Sequence, residues 1–177
     1  MAALVGGALW VVAFAGNAWR SLAEGSDALY VSLHGLGVVG LLSVLLVAVG
    51  FVGLDVHMPS GPGAGYYGTL GRAGYGVALL GLCVMLLVSG ASGVIGMLGI
   101  FILMVGSLLV GVAPLQRRVL PRWGAIALIV GSLSLLMFDT EGLRAWFGVP
   151  YGAAWVAVGY LMWAGTDRTA QQSTRVR

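Results

Sequence analysis

The sequence predicts an all-α integral membrane protein, a six-transmembrane-helix bundle, and three observations carry that expectation. Of 177 residues, 59% are hydrophobic and 8% charged, with a mean hydropathy of +0.99. A water-soluble domain carries roughly a quarter charged residues, so lipid is the expected solvent. Six apolar runs follow one another, each near the roughly 20 residues that cross a bilayer. The charged residues fall almost entirely between these runs, and arginine dominates alternate connections. Residues 1–166 are read as one six-span membrane domain and 167–177 as a short polar tail, which leaves no separate soluble domain.

The first span, 2–19, ends in Trp19-Arg20. No basic residue precedes it, so Ala13-Phe14-Ala15 before Gly16 is read as part of a retained span and not as a signal-peptidase site. The second span, 29–54, carries His34 near its start and gives way to Asp55. A long connection from Asp55 to Arg72 leads into the third span, 74–89. The uncharged Ser89-Gly90-Ala91-Ser92 separates it from the fourth, 92–113. Arg117, Arg118 and Arg122 precede the fifth, 122–138. Asp139, Glu141 and Arg144 precede the sixth, 146–165. Trp19, Trp123, Trp146 and Phe147 sit at span ends, where amphipathic rings settle at the headgroup level.

Arginine placement orients the chain. Arg72, Arg117, Arg118, Arg122, Arg168, Arg175 and Arg177 fall on one side, and Arg20 and Arg144 on the other. The arginine-rich side is expected to be cytoplasmic, which puts both termini there. Glu24, Asp27, Asp139 and Glu141 lie opposite, in agreement. The net charge of +3 thus reads as topology and headgroup contact, and no nucleic-acid partner is expected.

Two further patterns concern packing. The stretch from Gly71 lies over that from Pro121 without a gap, matching Arg72 to Arg122, Gly74 to Gly124 and Gly81 to Gly131. With Leu36-Gly37 laid over Leu98-Gly99, this suggests a parallel helical-hairpin repeat with its axis along the membrane normal. The 30 glycines would weaken helices in water but allow close backbone approach in a bilayer. Small-xxx-small pairs occur at Gly74/Ala78, Ser92/Gly96, Ser107/Gly111 and Ala153/Ala157. Packing within one chain is the expected use, with a homo-oligomer as the sharper reading.

Candidate sites are few. Gly63-Ala64-Gly65-Tyr66-Tyr67-Gly68 has the letters of a dinucleotide fingerprint but none of its strand-turn-helix context, so it reads as a flexible turn. Its sharper reading is a lipid or anion contact made by Gly65, Gly68, Thr69 and Arg72 at the start of the third span. Trp10, Cys83 and Trp155 define a candidate midplane pocket for an apolar ligand, against the plainer reading of packing. Arg20 and His34 define a candidate outer polar site. His34 and His57 stand some 23 residues apart, about 35 Å on a helix, so the pair cannot share a haem or a metal. Asp55 and His57 are read as a solvated loop start. Cys83 is the single cysteine, which excludes an intrachain disulfide. Ser132 and Ser134 are expected to bond back to carbonyls one turn earlier.

No catalytic constellation, metal-ligand cluster or ionisable group at membrane depth is legible, and no cofactor is expected. The first expectation is a non-enzymatic structural or accessory membrane protein, packing with itself, with membrane lipids or with a larger membrane complex. The alternative is a small permease or channel for a neutral or apolar solute. A lipid-acting enzyme ranks last, because no spacing brings His34 or His57 to acids.

Overall fold

A computed structural model describes residues 1–24, 33–57, 65–87, 93–117, 120–138 and 142–175. Among them the chain is all-helical. It comprises α1 (Ala2–Glu24), α2 (Leu33–His57), α3 (Gly65–Leu87), α4 (Gly93–Arg117), α5 (Arg122–Ser134), a short 3-10 helix (Gly142–Phe147) and α6 (Gly148–Arg175). No strand occurs among the described residues.

The helices form a ring in which sequence neighbours are mostly spatial neighbours. The broadest interface joins α3 to α4. Helix α1 packs on α2 and α6, α5 bridges α6 to α4, and α2 meets α3 only sparsely. Registers run in opposite senses across each main seam. Gly6 faces Leu46 while Gly50 faces Ala3; Gly74 faces Leu109 while Gly81 faces Gly99; Gly131 faces Pro150 while Gly124 faces Leu161. Short connections between antiparallel neighbours produce this up-and-down order.

Glycine permits the α3/α4 seam. A Cβ on Gly106 would overlap the Ala78 backbone nitrogen, and one on Gly81 would overlap that of Leu103. Only hydrogen fits at these two positions, and the reward is backbone-to-backbone contact along the interface. The small pairs Gly74/Ala78 and Ser107/Gly111 are thus used within the chain: Gly74 meets α4, and Gly111 lies against Ile129 of α5. Ala153 points outward, and Ser92 lies outside the described residues.

Several expected boundaries move. Helix α3 begins at Gly65, so the stretch expected as a loop up to Arg72 forms its first two turns. Helix α2 continues through His57, making Asp55 and His57 part of its last turn instead of a loop start. The α-helical part of α5 stops at Ser134 and then tightens: the amides of Leu135, Leu136, Met137 and Phe138 each bond the carbonyl three residues earlier. The expected opening of the sixth span, Trp146-Phe147, belongs to the 3-10 helix, and α6 carries on through the polar tail to Arg175.

The interior is apolar, and so is the outside. Every α-helix exposes large hydrophobic side chains, among them Val12, Val49, Leu80, Phe101, Val130 and Tyr160. By length and apolarity one helix, Ala2–Leu22, can cross a membrane; Val39–Leu54, Thr69–Met85, Met97–Ala113 and Arg122–Ser134 are shorter apolar stretches among the described residues.

Candidate functional site

The core is threaded by seven aromatic rings in continuous contact. Phe138, at the end of α5, meets Phe14 of α1 edge-on with centroids 4.8 Å apart. Phe14 meets Trp10 at 4.9 Å, and Trp10 meets Tyr151 of α6 at 5.2 Å. Tyr151 leads to Trp155 at 6.4 Å, Trp155 to Phe51 of α2 at 4.4 Å, and Phe51 to Tyr75 of α3 at 6.4 Å. Two pairs are built by sequence spacing alone: Trp10/Phe14 and Tyr151/Trp155 are four residues apart, so each shares a helix face. Edge-to-face contacts within 4.5 to 7 Å let the positive ring edge meet the negative face, worth ~0.5–1.5 kcal/mol per pair beyond burial.

Helix α4 joins this array through a single polar contact. Ser107 and Tyr151, both fully buried, place their hydroxyl oxygens 3.0 Å apart in a hydrogen bond. The other buried hydroxyls stay local: Ser43 donates to the Gly40 carbonyl at 2.6 Å and Ser132 to that of Leu128 at 2.7 Å. Ser134 donates to Gly131 at 2.6 Å, so both expected back-bonds on α5 form.

Trp10 and Trp155 are both fully buried beside Tyr151, and neither indole N–H has an acceptor. Trp155 Nε1 approaches the Tyr151 hydroxyl outside hydrogen-bond geometry. A buried donor left unmade costs roughly 1–3 kcal/mol. Phe14, Phe51 and Tyr151 occupy the space around the two indoles with ring faces and edges, which supply packing in place of oxygen.

The expected trio of Trp10, Cys83 and Trp155 does not assemble. Cys83 is exposed, because its neighbour Leu82 and the one-turn-earlier Ala78 face inward and each helical step turns the side chain by about 100°. Gly65, Gly68, Thr69 and Arg72 all lie on α3, with the Arg72 backbone roughly 10 Å along the helix from Gly65. Thr69 and Arg72 are exposed, three residues apart. Arg20 is exposed one turn from the end of α1, and His34 lies in the first turn of α2. The His34 side chain is outside the described residues.

A surface cleft of about 310 Å³ lies between the first half of α4, the tightened end of α5 and the 3-10 helix. Met97, Phe101, Met104, Leu136 and Met137 contribute its apolar lining, and among the described residues Arg144 is its one charged wall. Phe138 belongs both to this wall and to the aromatic array. Behind it, a Cβ on Gly148 would touch the Phe138 ring at 2.7 Å and the orphan Trp10 Nε1 at 3.3 Å.

The sequence reading passed over Tyr151, Phe138 and this cleft. The i, i+4 pairing of Tyr151 with Trp155 was available as a signal, but the reach from Ser107 to Tyr151 spans 44 residues and no local pattern announces it. Among the described residues no group of three or more His, Cys, Asp or Glu could hold a metal. The chain matches no family model, no curated protein and no solved structure.

Proposed function

We propose that the chain is a multi-pass membrane protein of six spans with both termini cytoplasmic, serving a non-enzymatic structural or accessory role through its outer faces. The observation that carries this reading is the pairing of a core filled by aromatic rings with large apolar side chains exposed on every helix. In water that surface would drive association; in a bilayer it is the wetted surface. Helices α1 to α4 have 23 to 25 residues, about 35 Å each, which matches a hydrocarbon core of about 30 Å with interfacial turns to spare. Buried polar side chains among the described residues are few, Ser43, Ser107 and Ser132, and each is hydrogen-bonded within the protein, as expected where the surroundings offer no water. Partners on this reading are lipids, a second copy, or a larger membrane complex.

The hairpin repeat gains support from position: Gly74 and Gly124 are both buried, as are Gly81 and Gly131, while Arg72 and Arg122 are both exposed. Its two copies are nonetheless unequal as packed units, since α4 and α5 share a broader interface than α2 and α3.

The test is reconstitution of the full chain into liposomes, followed by stopped-flow light scattering under glycerol and urea gradients. A structural role predicts swelling rates equal to those of empty vesicles. Accelerated uptake of either solute would overturn it and establish the permease.

A further inference from the structure

We propose that the cleft between α4, the end of α5 and the 3-10 helix is a binding site for one anionic phospholipid, an acyl chain lying along Met97, Phe101, Met104 and Met137 and the phosphate held by Arg144. The proposal rests on the membrane reading above and names a lipid class and a place for it.

The cleft owes its existence to a local change of helix type. Past Ser134 the chain takes four successive i to i−3 bonds, which narrows the helix and turns Leu135 and Phe138 inward while Leu136 and Met137 stay out. Opposite, α4 presents Met97 and Phe101, each more than half exposed. At about 310 Å³ the space is at the lower end of ligand pockets, enough for part of one chain and too small for a second protein's helix. Methionine supplies three of its walls; its unbranched, polarisable side chain adapts to chains of differing length and unsaturation.

Charge selects the head. Arg144 is exposed at the end of the 3-10 helix, on the same bundle end as the start of α4 and the end of α5, where a phospholipid's phosphate sits if its chain enters the cleft. A guanidinium takes a phosphate through two parallel N–H donors, and a lipid with net negative charge gains more from it than a zwitterion does. Asp139 and Glu141 are near Arg144 in sequence and lie outside the described residues; the experiment includes them as acids that would compete for the arginine.

The full chain, purified in a mild non-ionic detergent, is incubated with equal amounts of phosphatidylglycerol and phosphatidylcholine, and retained lipid is identified by mass spectrometry. The wild-type chain is expected to prefer phosphatidylglycerol about fivefold, the size set by one arginine at an anionic surface. Arg144→Gln removes the head contact and Met97→Trp fills the cleft; each is expected to abolish the preference without lowering the unfolding temperature, because both positions are exposed. The double change Asp139→Asn with Glu141→Gln keeps or raises it. Equal retention of both lipids by the wild-type chain overturns the proposal. So does a preference that survives Arg144→Gln, or one that survives Met97→Trp. Failure of the membrane reading is separately visible as a chain that stays in the aqueous phase when detergent is removed in the presence of lipid.

Discussion

The α3/α4 seam and the aromatic core joining α1, α2 and α6 both rely on glycine for close approach, but only the second adds large rings to it. Across α3 and α4, Gly74, Gly81 and Gly106 remove side chains so that backbones touch. Around Trp10, Tyr151 and Trp155 backbones also meet at glycine, Gly159 against Leu4 and Gly7 against Gly152, but large rings fill the space between α1, α2 and α6. The first interface is intolerant of added atoms; the second is intolerant of added atoms at its glycines and of lost ones at its rings. On the membrane reading proposed above, transfer of apolar groups out of the surroundings gains little, and both regions are held mainly by contact and shape.

The largest effect is expected from emptying the aromatic core. Trp155→Ala should destabilise by about 3–5 kcal/mol, read as the free energy of reversible unfolding in mixed micelles. Trp155→Phe should cost far less, since it keeps a ring against Phe51 and removes a donor that has no acceptor. Equal costs for the two would show that the indole nitrogen is satisfied.

Adding one carbon sharpens the contrast from the other side. Gly106→Ala forces its Cβ against the Ala78 backbone and should destabilise by about 1–3 kcal/mol. Gly76→Ala, on the facing helix α3 with nothing within 4 Å of its Cβ, should be neutral or stabilise by up to ~1 kcal/mol through helix propensity. If both destabilise alike, backbone contact is not what the α3/α4 glycines provide.

The link between the two regions is the Ser107–Tyr151 hydrogen bond, which ties α4 to the aromatic array. Ser107→Ala and Tyr151→Phe should each lose roughly 1 kcal/mol or more, and the double variant should lose less than their sum, leaving a coupling of about 1 kcal/mol in a double-mutant cycle. Strict additivity would mean that the hydroxyls act separately. Smallest of all, Cys83→Ser should change stability by less than about 0.5 kcal/mol, because Cys83 faces outward from α3.

The number and order of the helices were legible in the sequence, because apolar runs and bracketing arginines are local signals, while several of their ends were not. Ser132 and Ser134 were legible for the same reason, each reaching only one turn. Facing was not legible: in a run as uniformly apolar as that of α2 or α3, no alternation marks which side meets the core, so Cys83 was assigned inward beside Trp10 and Trp155. The start of α3 was obscured by Gly65, Gly68 and Gly71, which signal a turn in water yet continue a helix within this bundle. The cleft at Arg144 depends on a change from α to 3-10 geometry after Ser134, and its lining joins residues 97–104 of α4 to residues 135–144. The preference of Phe138 for the core over the loop follows from Phe14 and Gly148, which only the assembled fold brings beside it.

The measurement that tests the central claim most directly is cysteine accessibility in intact cells, in a Cys83→Ser background carrying Ser60→Cys, Thr140→Cys or Ser173→Cys singly. A membrane-impermeant maleimide should label the cysteine at position 140 from outside and reach those at 60 and 173 only after permeabilisation. Labelling of all three in intact cells, or recovery of the chain in the soluble fraction, would contradict the six-span arrangement and with it the reading of the apolar exterior as a lipid-facing surface.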